Sequence, residues 1–410
     1  MWRTLHPNVR TRITTSFLSR VVGSMVFPFL AIYFTAHLGA ALAGTLLLTL
    51  GVVQFLAGLY GGALADAWGR RTLLTGEGLK LLAFAAMLAA NGNGPHPWAT
   101  FAAVVLVNVA SGLINPAAEA MLVDVSTPKS RSFMYAANCW AVNLSILLGT
   151  VAGGWLYADH FTLLLGLLVG MSLITSALCW TQMTETRAAS PTARAELGLA
   201  PLARSYAQVV RDRAFGLFVA GGILILSTEF SRNNHVAVHL AQNFAASEWF
   251  GVWLDGIKAM SVLTAVNTLL IVALTAPVAA WLKGREERPV MYAGFALFAL
   301  GFAVMAFSTS LPVLLGTLAL SLGELLYVPT WQSALAELVP EDRRGAYLAV
   351  HGQVFTVSKW IAALRVPLGG LIGGSGMAGV TLALGAGGVL LTGWALRNRQ
   401  PQAPAAVATR

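Results

Sequence analysis

Glu324 is a carboxylic acid in the middle of an apolar run, about thirteen residues from either end of residues 311–336. If that run crosses a bilayer, the acid sits at its centre, where a charge costs several kcal/mol unless it is paired or hydrated. The chemistry open to it is reversible protonation: neutral when facing an acidic exterior, ionised when facing the cytoplasm or a cationic ligand. Its competing reading is a static ion pair with Lys359, which lies at similar depth in the run 346–373. Three acid–base pairs accompany it at a spacing of three, Glu77/Lys80, Glu229/Arg232 and Asp255/Lys258. That spacing puts both members on one helix face, where they can neutralise each other. Glu229/Arg232, near mid-membrane, reads equally as a cavity lining and as a static pair. Glu77/Lys80 reads as static, with Lys80 snorkelling toward the interface.

Other chemistries lack their residues. His235 and His239 have the i, i+4 spacing of a metal pair but no third ligand nearby, so they read as interfacial and no metal is expected. A phosphate-binding loop is absent, and with it the expectation of ATP drive. No nucleophile–base constellation appears, so an enzyme is not expected, and neither is a cofactor. Cys139 and Cys179 both fall inside apolar runs, which argues against a structural disulfide.

The elements that must position Glu324 are membrane helices. The chain is 57% hydrophobic and 10% charged, and its mean hydropathy of +0.70 leaves too little polar surface for a soluble domain. Runs of about 20 apolar residues fall at 13–37, 42–65, 73–90, 98–124, 134–158, 161–182, 214–240, 251–282, 290–309, 311–336, 346–373 and 377–396. The first is too long for a cleaved leader and lacks a small-residue cleavage site. All but six of the 26 Lys and Arg lie at the termini or in alternate loops, which places both termini in the cytoplasm. The net charge of +9 is therefore topology, and no nucleic-acid partner is expected. The expected setting is a bacterial cytoplasmic membrane, with lipids as neighbours and a monomeric chain.

The loop after the second run reads Gly-Gly-Ala-Leu-Ala-Asp-Ala-Trp-Gly-Arg-Arg (61–71). Asp66 there is at the unfavourable end of its own helix dipole and needs a partner, either Arg70 and Arg71 or the N-terminus of another helix. Gly61 and Gly62 permit such a helix to come close, and Gly69 leads into the next run. The stretch resembles the cytoplasmic loop signature of the major facilitator superfamily, G-x-L-a-D-r-x-G-r-k.

The polar stretch 184–213 divides the runs six and six, and an interfacial amphipathic helix is expected around 202–210. The halves are alike. A shift of 213 residues places Pro116 on Pro329, Glu119 on Gln332 and Asp124 on Glu337; after a one-residue slip Arg131 falls on Arg343. This predicts an all-α membrane protein of two six-helix bundles, 1–183 and 214–400, with a cytoplasmic linker 184–213 and tail 401–410. Such a duplication suits alternating access, with the substrate site near mid-membrane between the halves.

The segments 96–101, 120–124, 140–149 and Leu-Gly-Glu-Leu-Leu-Tyr-Val-Pro (322–329) resemble the LmrP-type multidrug/proton antiporters over nearly the full length. The resemblance implies a major facilitator fold and proton-coupled export of varied small molecules. It also implies a functional role for Glu324 and a gating and proton-transfer network of Asp124 and Asp66. Glu119 is expected to face Arg20, as a fixed pair or as a protonation switch. Gating is expected of Asp66, Gly69, Arg70, Arg71, Arg131 and Glu337, and substrate binding of Arg20, Asn138, Trp140, Glu229, Arg232, Glu324, Trp331 and Lys359. Trp155 and Trp360 are further aromatic candidates, Trp155 better placed at the membrane interface. One departure matters. Asn138 stands where the pattern has aspartate, and Asn233 where a second is expected, while Arg232, Lys258, Lys359 and Arg365 remain. An anionic or zwitterionic cargo, such as a metallophore or a lysolipid, therefore competes with the multidrug reading.

Overall fold

The computed structural model describes residues 7–125, 128–184, 209, 211–340 and 344–397. Its helices are α1 (Pro7–Leu38), α2 (Ala40–Trp68), α3 (Arg70–Asn91), α4 (Pro97–Val125), α5 (Pro128–Leu156), α6 (Phe161–Gln182), α7 (Arg213–Asn243), α8 (Gly256–Leu282), α9 (Glu287–Met305) and α10 (311–338). Arg344–Arg397 contains two more, α11 before Gly373 and α12 after it, separated by a non-helical backbone at that residue. The twelve expected runs are twelve helices. Among the described residues ten helical stretches are long and apolar enough to cross a membrane, the last being the α11–α12 pair, and the chain is a multi-pass membrane protein. The linker beyond Thr184, including most of its expected interfacial helix, and the tail lie outside the described residues.

Local signals set the ends. Pro7, Pro97 and Pro128 each open a helix, where a missing N–H costs nothing. Asp212 caps α7 by accepting from the Phe215 amide at 3.1 Å, and takes the Tyr347 hydroxyl of α11 at 2.9 Å. The expected start of α8 at residue 251 is corrected: Ser247–Trp249 and Val252–Leu254 form an antiparallel hairpin (β1, β2) ahead of the helix. Asp255 is then the cap of α8, accepting from the Lys258 amide at 2.8 Å, and is not a residue of its face. The Lys258 side chain points instead at Asp159, 4.0 Å away.

Within the first half α2, α3 and α4 pack together, as do α1, α5 and α6; in the second, α7 packs on α11–α12 and α9 on α10. The close approach expected at Gly61 is present, against α4: a Cβ there would lie 1.9 Å from the Gly112 carbonyl oxygen. The halves meet through α2 on α11, α5 on α8, and the far ends of α1 and α7. Gly44 faces Pro367, Gly51 faces Trp360 and Gly154 faces Ser261, so these contacts lie on the side of the bundle away from the Gly69 loop.

Candidate functional site: a charged cavity between the halves

A cavity of about 660 Å³ lies between the two halves, lined from α1, α2, α3, α4, α5, α7, α8 and α11. Its α7 wall is made by Glu229, Phe230, Arg232 and Asn233. A π-helical turn at Arg232–Val236 follows Glu229, a local widening of the helix common at functional sites. It leaves Arg232 and Asn233 on the cavity side, while His235 is buried and bonds the Ala306 carbonyl at 3.2 Å. The expectation of an interfacial His235/His239 pair is therefore corrected for His235. Both imidazoles serve packing in the second half, their rings 5.9 Å apart.

Glu324 is partly buried behind that wall and is not itself among the lining residues. It is close enough to Glu229 and Arg232 for their charges to act on it, with the Asn267 amide beside it; Asn267 in turn accepts from the Ser321 hydroxyl at 2.7 Å. The Tyr327 hydroxyl belongs to the same electrostatic cluster. Arg232 stands over the Phe302 ring at 5.3 Å and comes within 4.0 Å of neither carboxylate. One cation thus acts on two acids without a closed ion pair.

The static Glu324–Lys359 pair is corrected. Among the described residues no carboxylate lies within 4.0 Å of Lys359, whose ammonium sits over the Phe230 ring at 5.5 Å and faces the cavity. Equal depth did not mean equal azimuth. Glu77 and Lys80 do pair, at 2.5 Å, but buried, so the snorkelling lysine is also corrected. Thr175 donates to Glu77 at 3.0 Å and Lys80 donates to Ser19 at 3.0 Å, fixing α3 to α6 and α1. Arg20 is exposed to the cavity and has no ion-pair partner among the described residues.

Two of the cationic candidates lie elsewhere. Arg365 is buried outside the cavity, donating to the Ser227 carbonyl at 3.5 Å and to the Thr381 hydroxyl. Lys258 is also off the lining. Neither of the two expected tryptophans lines the cavity: Trp331 is buried between Phe218 (ring centroids 5.3 Å apart) and His351 (5.0 Å), and Trp140 is 65% exposed. Trp360 packs edge-on to Phe55 at 5.9 Å.

At the loop end, Gly69 adopts φ 50°, a turn conformation glycine favours, and Thr72 closes it by donating to the Leu64 carbonyl at 2.8 Å. Arg70 donates to the Trp180 carbonyl at 2.6 Å at the C-terminus of α6, where a cation suits the dipole. Arg71 is exposed. Glu337 is exposed beside a second, smaller pocket that also holds Arg288. The side chains of Asp66, Glu119, Asp124, Arg131 and Asn138 lie outside those described.

Reading the sequence missed Arg12, Gln54 and Asn115, all on the cavity wall. Arg12 was counted with the terminal bases; Pro7, a first-turn proline, was the signal that the helix starts earlier.

Residues 13–253 match the family model described as Major Facilitator Superfamily, and the chain belongs to that superfamily. It is a transporter and not an enzyme. It is 29% identical over 382 residues to a "Na(+), Li(+), K(+)/H(+) antiporter" of Planococcus maritimus, covering 88% of this chain and 89% of the relative. It is 26% identical over 364 residues to "Multidrug resistance protein MdtH" of Edwardsiella ictaluri, covering 86% and 81%. A crystal structure of a peptide transporter POT in complex with sulfate superposes with a TM-score of 0.74 at 16% identity, over 95% of this chain and 94% of that one, a likeness of fold alone.

Proposed function

We propose that the chain is a proton-driven antiporter that exports amphiphilic small molecules by alternating access, with the cavity as its cargo site. The observation that carries this reading is the cluster of Glu229 on the cavity wall, Glu324 behind it and Arg232 acting on both. Acids at membrane depth are functional by default, and one cation against two carboxylates leaves a charge that a single proton balances. A proton arriving from outside neutralises the cluster and favours the state open to the cytoplasm. Cargo entering from the cytoplasm or inner leaflet releases it.

Asp66, Glu119 and Asp124 are proposed as further proton-linked groups, and Gly69, Arg70, Arg71, Arg131 and Glu337 as the gate between halves 1–183 and 214–400. Arg70's hold on the end of α6 supports the gate, since it ties the loop to a neighbouring helix. The positive loops support a bacterial cytoplasmic membrane with both termini inside; a monomer is proposed as well. The inorganic cations of the Planococcus relative are not carried over. Among the described lining residues Glu229 is the one carboxylate, against five Lys and Arg.

The test is reconstitution with a pH-sensitive dye inside the vesicles and an imposed proton gradient. A cationic dye, a lipid-like amphiphile and a carboxylate-rich chelator are added in turn, with sodium and potassium as controls. Proton flux evoked by an organic probe is expected. Flux evoked by the inorganic cations alone, or by nothing, overturns the proposal.

A further inference from the structure

We infer that the cavity takes its cargo by an anionic head group held between Arg20 of α1 and Lys359 of α11. This deepens the reading above and rests on the cavity being the cargo site. Five bases line the cavity, Arg12, Arg20, Lys80, Arg232 and Lys359. Lys80 is committed to Glu77 at 2.5 Å and to Ser19 at 3.0 Å, Arg232 serves the two glutamates behind it and beside it, and Arg12 is buried and otherwise engaged. Arg20 and Lys359 are left facing the open space, and among the described residues neither has a carboxylate within 4.0 Å.

A cation held inside a membrane protein without a counter-ion is costly, and an entering carboxylate or phosphate supplies what it lacks. An organic cation meets repulsion from the same groups. Ser19, Gln54 and Asn115 add neutral donors on the first-half wall, while Phe27, Phe84 and Phe230 give an apolar body somewhere to lie. Arg20 belongs to the first half and Lys359 to the second. One anionic group bonded to both ties the halves together, so occupancy itself biases the equilibrium between the two access states. Arg and Lys suit this division: the guanidinium fixes the head group by a bidentate contact, and the ammonium follows it as a point charge.

The experiment uses three probes that share a fluorescent body and differ only in head group: pyrenebutyrate, pyrenebutanamide and a pyrenebutyl-trimethylammonium salt. Binding is titrated by pyrene fluorescence on the full-length protein in nanodiscs at neutral pH, and dye-reported proton flux is measured separately in vesicles. Pyrenebutyrate is expected to bind at least about tenfold tighter than the amide, the size of one charge-assisted contact, with the ammonium probe weakest. Arg20→Gln and Lys359→Gln are each expected to lose about tenfold for pyrenebutyrate and to leave the amide within about twofold, and Lys359→Arg to restore binding. If a variant does not fold, the head-group series on the unaltered protein still decides. A cation preference, indifference to the head group, or variants that leave pyrenebutyrate binding unchanged overturns the anion site. Head-group preference without any proton flux leaves the anion site standing and overturns the antiport reading instead.

Discussion

Glu229 lies on the wall of the central cavity and Glu324 stands behind that wall, near enough that each carboxylate's charge acts on the other. In a low dielectric such a pair is strained by its like charges, and Arg232 offsets one of them. Both acids are partly buried, and Glu229 is the one of the two that lines the cavity. Glu229→Gln is expected to cut gradient-driven proton flux at least about tenfold while retaining probe binding, since one member of a coupled charge cluster is lost. The dye assay read beside fluorescence titration checks this, and unchanged flux places coupling elsewhere.

The Glu77–Lys80 pair is a structural clamp. Lys80→Met leaves Glu77 buried and uncompensated, which costs about 3–5 kcal/mol, whereas Glu77→Leu combined with Lys80→Met removes both charges and recovers much of the loss. Thermal unfolding in detergent measures the two against the parent. Equal destabilisation by single and double variants would show that packing, not charge, holds α3 in place.

At Gly61 the α2 and α4 backbones touch. With the Gly112 carbonyl oxygen 1.9 Å from where a Cβ would go, Gly61→Ala forces the helices apart at a cost of about 1–3 kcal/mol or more. A drop in the monodisperse fraction on fluorescence-detected size exclusion is expected for Gly61→Ala and a larger one for Gly61→Val. Normal behaviour of both would contradict the close crossing.

Asp255 and Lys258 separate two readings of one spacing. As the α8 cap, Asp255 accepts a backbone N–H, so Asp255→Ala costs about 1 kcal/mol. The Lys258 ammonium is 4.0 Å from an Asp159 carboxylate that is 64% exposed, so Lys258→Gln changes stability by less than about 0.5 kcal/mol. Equal losses, measured as unfolding midpoints, would restore the side-chain ion pair.

The twelve helices were legible because a bilayer demands about 20 apolar residues per crossing, and little else in a chain meets that demand. The hairpin at 247–254 was not. Val252, Trp253 and Leu254 are apolar, and a short apolar run does not distinguish a strand from the first turn of a membrane helix. Counting along each helix gives Glu324, Lys359 and Trp331 an expected depth. Azimuth was not legible, because which face meets the cavity depends on how neighbouring helices pack. Hence Lys359 turned out to face open space rather than Glu324, and Trp331 to lie against Phe218. Of the four bases set against the expected aspartates at Asn138 and Asn233, Arg232 and Lys359 line the cavity, while Lys258 and Arg365 do not. The gathering of Arg12, Arg20 and Lys80 around the same space was not legible.

The most direct test of the coupling role is Glu324→Gln in sealed vesicles, with uphill transport and probe exchange at zero gradient measured on the same preparation. The expected result is exchange within about twofold of the parent protein with uphill transport abolished, as loss of a proton carrier requires. Uphill transport that continues at the parent rate would contradict a proton-carrying role for Glu324.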